Sequence, residues 1–240
     1  MRRVLRISGT LLIAAGLATL AWAVVVWQWQ DPFTAVYTTY QQHKLKNRYK
    51  KIFTSYRPLR DEGATSLAVQ RRLVKVEAKR YRLRLEEGDP VGRLKVPRLG
   101  LSTIAVNGTD DGTLKKGPGR YSGPLPSFVP GEGELVYVAG HRTTYLAPFA
   151  RIDRLRPGDA VTFELPYATF EYLLTGHRIV RADDLSVLRS RGRDVLALQA
   201  CHPRFFASHR YIAYAKLVRV VPRDGPAFRI VNGTRVAAAA

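Results

Sequence analysis

The chain opens with an uncharged, largely apolar run of 24 residues from Ile7 to Gln30, behind arginines at 2, 3 and 6. About 20 apolar residues cross a bilayer as a helix, so the run predicts a transmembrane anchor over residues 7–30. A cleaved signal peptide has an apolar core of only about 7–15 residues. Ala21-Trp22-Ala23 imitates a cleavage site, but the run continues through Val24, Val25, Val26 and Trp27. Trp27 and Trp29 then fall at the far interface, where indole rings favour the headgroup level. From Asp31 to Glu87 the pattern becomes polar and basic, with few Gly or Pro. Val69, Leu73, Val76 and Leu83 recur at roughly helical spacing, which predicts a helical stalk over residues 31–87, part of it packing on the domain or on itself.

At Gly88 the pattern changes to short β-branched or alternating runs cut by Gly and Pro. The runs are Gly92–Val96, Thr103–Val106, Glu134–Ala139, Ala160–Leu165, Thr169–Leu174, His177–Arg181, Asp194–Ala200 and Tyr211–Val221. With turn signals such as Arg156-Pro157-Gly158-Asp159 between them, they predict an all-β barrel or sandwich over residues 88–222. The tail over residues 223–240 ends in alanines and is expected to fray. No internal repeat is present.

Charge adds a partner class. The chain carries 39 Lys and Arg against 19 Asp and Glu, a net charge of +20. The surplus is not a tail effect, because Val91 to Arg223 holds twenty basic residues against eleven acidic ones. Such a surface attracts polyanions. No nucleic-acid motif accompanies it, which leaves anionic lipids or wall polymers if the body lies outside the membrane. Arg2, Arg3 and Arg6 hold residues 1–6 in the cytoplasm, while the basic segment from Lys44 to Lys51 competes for the same side. Long folded domains translocate largely regardless of charge, so the expected topology is a single pass with an extracytoplasmic body. Asn107-Gly-Thr and Asn232-Gly-Thr match the glycosylation pattern and are read as turns.

Candidate chemistry centres on the one cysteine, Cys201, in LALQACHPRFFASHRYI. It has no second thiol for a disulfide, a redox pair or a thiolate zinc site, which leaves apolar filler or a nucleophile. If the runs on either side of it pair as a hairpin, Cys201 closes one strand and Arg210 opens the next at the same mouth. Gln199, Ile212 and Tyr214 would share that face, which is too polar for a core. A nucleophilic thiol needs a base, and His141, His202 and His209 are candidates. His141 sits where the strand Glu134–Ala139 breaks at Gly140, a place where a rigid frame aims a side chain into a cleft. His202 adjoins Cys201, and adjacent strand residues point to opposite faces.

The segments VAGHRTTYLAPFARIDRLRPGDAV and CHPRFFASHRYI, preceded by GRLKVPRLGLSTIAVNG and LKKGPGRY, resemble the sortase family over about Gly88 to Val221. The likeness is greatest to class E sortases of actinobacteria. It implies an eight-stranded β-barrel cysteine transpeptidase, with no cofactor or metal. Such an enzyme cuts a C-terminal sorting signal of a secreted protein and joins the new end to a cell-wall peptidoglycan precursor amine. By this resemblance Cys201 is the nucleophile, His141 the acid/base and Arg210 the cation at the substrate backbone. The class E form also has a tyrosine after His-Arg-Thr-Thr, here Tyr145, associated with Leu-Ala-x-Thr-Gly in place of Leu-Pro-x-Thr-Gly signals. One departure stands out: the family has Thr immediately before the cysteine, and this chain has Ala200 at that substrate-binding position. Some sortases use calcium, but Asp110-Asp111 and Asp183-Asp184 are read as solvated turn residues. Asp31-Pro32-Phe33 resembles the lid tripeptide of pilus-building sortases; its place directly after the span predicts a membrane-exit turn instead.

Two rival functions remain open at this level. An L,D-transpeptidase-like peptidoglycan crosslinker also uses Cys, His and Arg behind an anchor, but its Ser-x-Gly-Cys context is absent. A non-catalytic anchored module would bind anionic wall polymer through its positive surface.

Overall fold

The computed structural model describes residues 2–29, 32–59, 66–190 and 192–230. The apolar run through Trp29 lies in one helix, α1 (Arg2–Trp29), whose stretch Arg2–Val24 is long and apolar enough to cross a membrane and contains no buried residue. Asp31 and Asn232 lie outside the described residues, and so do the expectations placed on them. Pro32 opens the next helix, α2 (Pro32–Ser55), at the position where its missing N–H costs nothing.

The segment expected as a stalk is helical but does not stand off from the domain. One face of α2 carries Thr38, Gln42, Leu45 and Tyr49, at alternating spacings of four and three residues. Gln42 is the strap: its Nε2 donates to the carbonyls of Ile104 (3.0 Å) and Lys116 (2.8 Å), and its Oε1 accepts from the Ile104 N–H and the Thr103 hydroxyl. Tyr49 donates to the Glu164 carbonyl at 2.7 Å. Leu45 and Tyr49 form a small core with Ile104 and Val106. Helix α3 (Leu67–Arg82), capped by the Ser66 side chain, buries Gln70, Val74, Glu77, Ala78 and Tyr81. This face differs from the expected apolar stripe, of which Val76 is 45% and Leu83 69% exposed. Two polar residues hide the true periodicity. Glu77 is buried because it accepts from the Tyr56 hydroxyl and from the Leu59 N–H at 2.7 Å, which satisfies a carboxylate that would otherwise be costly to bury.

Downstream the chain is all β apart from short helical turns. Its strands are β1 (Pro90–Val96), β2 (Leu101–Asn107), β3 (Gly119–Arg120), β4 (Leu135–Ala139), β5 (Ala160–Glu164), β6 (Ala168–Arg181), β7 (Val195–His202), β8 (His209–Pro222) and β9 (Phe228–Arg229). The order β6-β5-β1-β2-β3-β4-β7-β8 closes on itself through β6–β8, giving an eight-stranded barrel, and β9 adds to the far end of β8. The eight sequence runs are not these eight strands. Thr169–Leu174 and His177–Arg181 are one strand whose register shifts between Leu174 and Gly176, as at a bulge. The two-residue β3 carries no periodicity and escapes pattern reading. The barrel interior is filled by Val91, Leu94, Val138, Phe163, Phe170, Leu196, Leu198 and Ala213, joined by Val74, Ala78 and Tyr81 from α3.

Candidate active site

Strands β4 and β7 run parallel and in register, with Ala139 opposite Gln199. The Gly140 N–H continues the ladder by donating to the Gln199 carbonyl at 2.9 Å, so His141 and Cys201 stand at the same end of the sheet. Glycine is required at the exit: a Cβ on Gly140 would lie 2.6 Å from the buried ring of Phe149. On the other side of β7, Cys201 is the direct partner of Arg210 in β8, with Ala200 opposite Tyr211 and His202 opposite His209. The hairpin therefore continues one residue further at each side than the sequence suggests.

His141, Cys201 and Arg210 line one cleft of about 270 Å³ on the outer face of the barrel. Tyr137 of its lining belongs to a satellite core with Val180, Ala197 and Ile212. Gln199 and Tyr121 line one part of it, and Asp184, Leu185 and Leu188, from the segment between β6 and β7, another.

Each of the three groups is held differently. The His141 ring lies 5.1 Å from the Tyr145 ring, and its buried Nε2 has no hydrogen-bond partner among the described residues. Burial pushes the His141 pKa below the ordinary imidazole value; Asp111 opposes this shift and Lys115 reinforces it. Arg210 donates through Nη1 to the carbonyls of Ala207 (2.7 Å) and His209 (3.0 Å). That ties one nitrogen of the guanidinium to its own loop and leaves the others for a ligand. Arg142, which sequence reasoning passed over, is buried and joins the segment after β4 to the end of β7. Its Nη1 donates to the Cys201 carbonyl at 3.2 Å and meets His202 Nδ1 at 3.1 Å, while Nη2 donates to Asp153 at 2.9 Å. Strand alternation was the available signal, since a residue beside an outward-facing histidine turns the other way.

The other candidates fall into place around these. His202 is held by Arg142, burial and this cation lower its pKa, and it is not among the residues lining the cleft. His209 bonds Ser208 at 3.0 Å. Ala200 is fully buried among the core residues of the barrel, between the half-exposed Gln199 and Cys201 on β7. Tyr145 stands against His141 and is not among the residues lining the cleft. It begins three consecutive left-handed residues, Tyr145, Leu146 and Ala147, at φ 54, 62 and 36. This conformation is unfavourable for residues with a Cβ. It is held by bonds from Ala147 N–H to the Thr144 carbonyl and Phe149 N–H to the His141 carbonyl, and by Tyr145 N–H donating to Thr34 Oγ1 of α2 at 2.9 Å. Of the acidic pairs, Asp110 caps the short helix α4 (Asp111–Leu114), and its bonds to Thr113 hold it down at about 2. Asp183 pairs with Arg181, and Asp184 accepts from the Ser186 N–H.

A sortase-domain family profile matches residues 94–218. Sortase D of Bacillus subtilis (strain 168) is 34% identical over 137 residues, covering 55% of this chain and 66% of that protein. Sortase SrtE2 of Streptomyces coelicolor is 27% identical over 152 residues, covering 56% and 58%. The matched stretch thus spans just under two thirds or less of these relatives' own length. Among solved structures, sortase E1 of Streptomyces coelicolor, determined with a tripeptide in its active site, superposes with a TM-score of 0.53 at 25% identity, covering 58% of this chain and 95% of that one. A Clostridium perfringens Sortase D5 transpeptidase gives a TM-score of 0.58 at 21% identity, covering 74% and 98%, a likeness of fold.

Proposed function

The chain belongs to the sortase family, and on that premise we propose that it is a membrane-anchored cysteine transpeptidase acting on C-terminal sorting signals of secreted proteins. The observation that carries the reading is the convergence of His141, Cys201 and Arg210 on one cleft from three strand ends. In this reading α1 is the anchor, residues 1–6 are cytoplasmic and the barrel is extracytoplasmic.

The chemistry follows from the residue types. The Cys201 thiolate attacks the carbonyl carbon of the Thr-Gly bond, and the free N–H groups of Arg210 stabilise the developing oxyanion. As the intermediate collapses, the C–N bond breaks and His141 gives its proton to the departing glycine amine, leaving a Cys201 thioester. A wall-precursor amine enters, neutral His141 takes its proton, and the new amide forms as the thiolate leaves. Burial disfavours the charged form of the His141 imidazole. The buried Ala200 supplies no hydroxyl at the site, so signal choice in this reading rests on the cleft lining.

The test is incubation of the full chain with Leu-Ala-x-Thr-Gly and Leu-Pro-x-Thr-Gly peptides and an amine, read by mass spectrometry beside Cys201→Ala. A Thr-amine product that requires Cys201 is expected from one or both peptides. No cleavage by a folded protein with an accessible thiol would overturn the reading in favour of a polymer-binding module.

A further inference from the structure

We propose that the mouth of the catalytic cleft lies against the membrane surface, with the aromatic tip of the loop between β7 and β8 seated in the lipid headgroup layer. The proposal rests on the reading of α1 as a membrane anchor, and two independent features lead to it.

The first is the tether. Helix α1 ends at Trp29, and five residues later Thr34 is bonded to the Tyr145 N–H, with the Tyr145 ring against His141. An extended chain spans at most about 3.6 Å per residue, so the end of α1 lies within about 18 Å of Thr34. The catalytic end of the barrel is thereby pinned near the membrane exit. The opposite end of the barrel is separated from it by the length of β7, about 20 Å from Cys201 back to Val195.

The second is the surface presented at that end. Phe206 is 81% exposed and Phe205 54%, both in the loop between Cys201 and Arg210. Phe205 and Ala207 have φ of 76 and 53, so the tip is a shaped turn. Leu185, 62% exposed, lines the same cleft, and Leu146 follows Tyr145. Tyr37 and Tyr40 are exposed on the first turns of α2, with the Tyr37 ring 6.4 Å from Tyr145. Large exposed apolar side chains on segments that carry or adjoin His141, Cys201, Arg210 and Tyr145 mark an interaction face. Cations accompany the rings: Arg204 is 5.8 Å from the Phe205 centroid and Lys44 Nζ is 4.4 Å from that of Tyr40. Aromatic rings interleaved with Lys and Arg suit an interface of anionic lipid headgroups. The charge alone does not select this face, because Arg178, Arg189 and Arg193 surround a pocket toward the other end. The exposed aromatics and the tether do.

The experiment places an environment-sensitive fluorophore on single cysteines in the full chain carrying Cys201→Ser, reconstituted in phosphatidylcholine vesicles containing phosphatidylglycerol. The labelled variants are Phe206→Cys, Leu185→Cys as a second site on the same face, Arg193→Cys at the far end and Leu12→Cys in α1. Blue-shifted emission at 206 and 185, with more than half of it lost to a headgroup-nitroxide lipid, and an unquenched label at 193 are expected. Quenching at 12 but not at 206 or 185 would overturn the proposal and leave the anchor standing. No quenching at 12 would overturn the anchor, and the proposal with it. A blue shift at 206 without lipid quenching would place the tip against protein, for instance a second copy, and would also overturn it.

Discussion

Cys201 and Arg210 are direct partners across the β7–β8 ladder, nine positions apart in the chain and one rung in the sheet. Side chains so paired have Cβ atoms about 4.5–5.5 Å apart on one face, and a register slip of one residue would turn either of them inward. Register is held by the buried rungs beneath them, where Ala197, Leu198, Ile212 and Ala213 admit no water. The pairing of the two residues is therefore a property of the core, not of the loop between them.

Removing either partner should separate chemistry from stability. Cys201→Ala is expected to abolish turnover. Arg210→Ala is expected to lower kcat/KM by about 10²–10³, the usual loss for one oxyanion donor. Arg210→Lys should recover only part of this, because an ammonium cannot hold the loop carbonyls and a substrate oxygen as a planar fork does. Thermal unfolding should be nearly unchanged in Cys201→Ala. A Cys201→Ala protein that still made the Thr-amine product would remove the mechanism.

The buried imidazole should show in the pH dependence of stability. Burial lowers the folded-state pKa of His141 below the unfolded value of about 6.5. The unfolded chain then binds the proton more readily, so this contribution is complete above about pH 6.5 and is lost as pH falls toward the folded pKa. His202 shifts in the same direction. His141→Gln should flatten the loss of melting temperature on acidification, and His141→Gln with His202→Gln should flatten it further. An unaltered profile in both variants would show that neither histidine is held neutral by the fold.

The bond from Tyr145 to α2 should be measurable on its own. Thr34→Val keeps the shape and removes the acceptor for the Tyr145 N–H, a loss of about 1 kcal/mol. The left-handed stretch Tyr145–Ala147 would relax, and the Tyr145 amide should exchange with solvent faster. Thr34→Ser should restore protection. Equal exchange in Thr34→Val and the parent would mean that the loop holds itself.

The three residues that meet in the cleft were legible because chemistry and strand alternation act on the same few positions. Cys201, Arg210 and His141 each stand where an apolar run breaks, and a break in pattern is visible in one sequence. The burial of Ala200 follows from strand parity: the residue next to an outward-facing cysteine faces the core. Glu77 and Gln70 hid the face of α3, because a periodicity search scores a polar residue as solvent-facing when its partner, here Tyr56 for Glu77, lies in another element. Gln42 is the same case in α2, where one amide satisfies the edge of β2 and binds a helix that composition alone presents as a stalk.

That packing bears on where the folding unit begins. A fragment of residues 88–222 would lack Val74, Ala78 and Tyr81, which belong to the barrel core. It would also lose the Tyr81 hydroxyl bond to the Val91 carbonyl at 2.9 Å and the Arg82–Glu132 pair at 2.8 Å. Deleting one buried aromatic side chain typically costs about 3–5 kcal/mol, against a total stability of about 5–15 kcal/mol for a domain. The losses from α3 alone reach that range before the strap from Gln42 and the Tyr49 bond to Glu164 are removed. Residues 88–222 are therefore expected to lack fixed tertiary structure, with weak near-ultraviolet dichroism and no cooperative melting, whereas residues 32–230 should unfold in one sharp transition. If the shorter fragment also melted cooperatively, α2 and α3 would be accessories to the barrel instead of parts of its core.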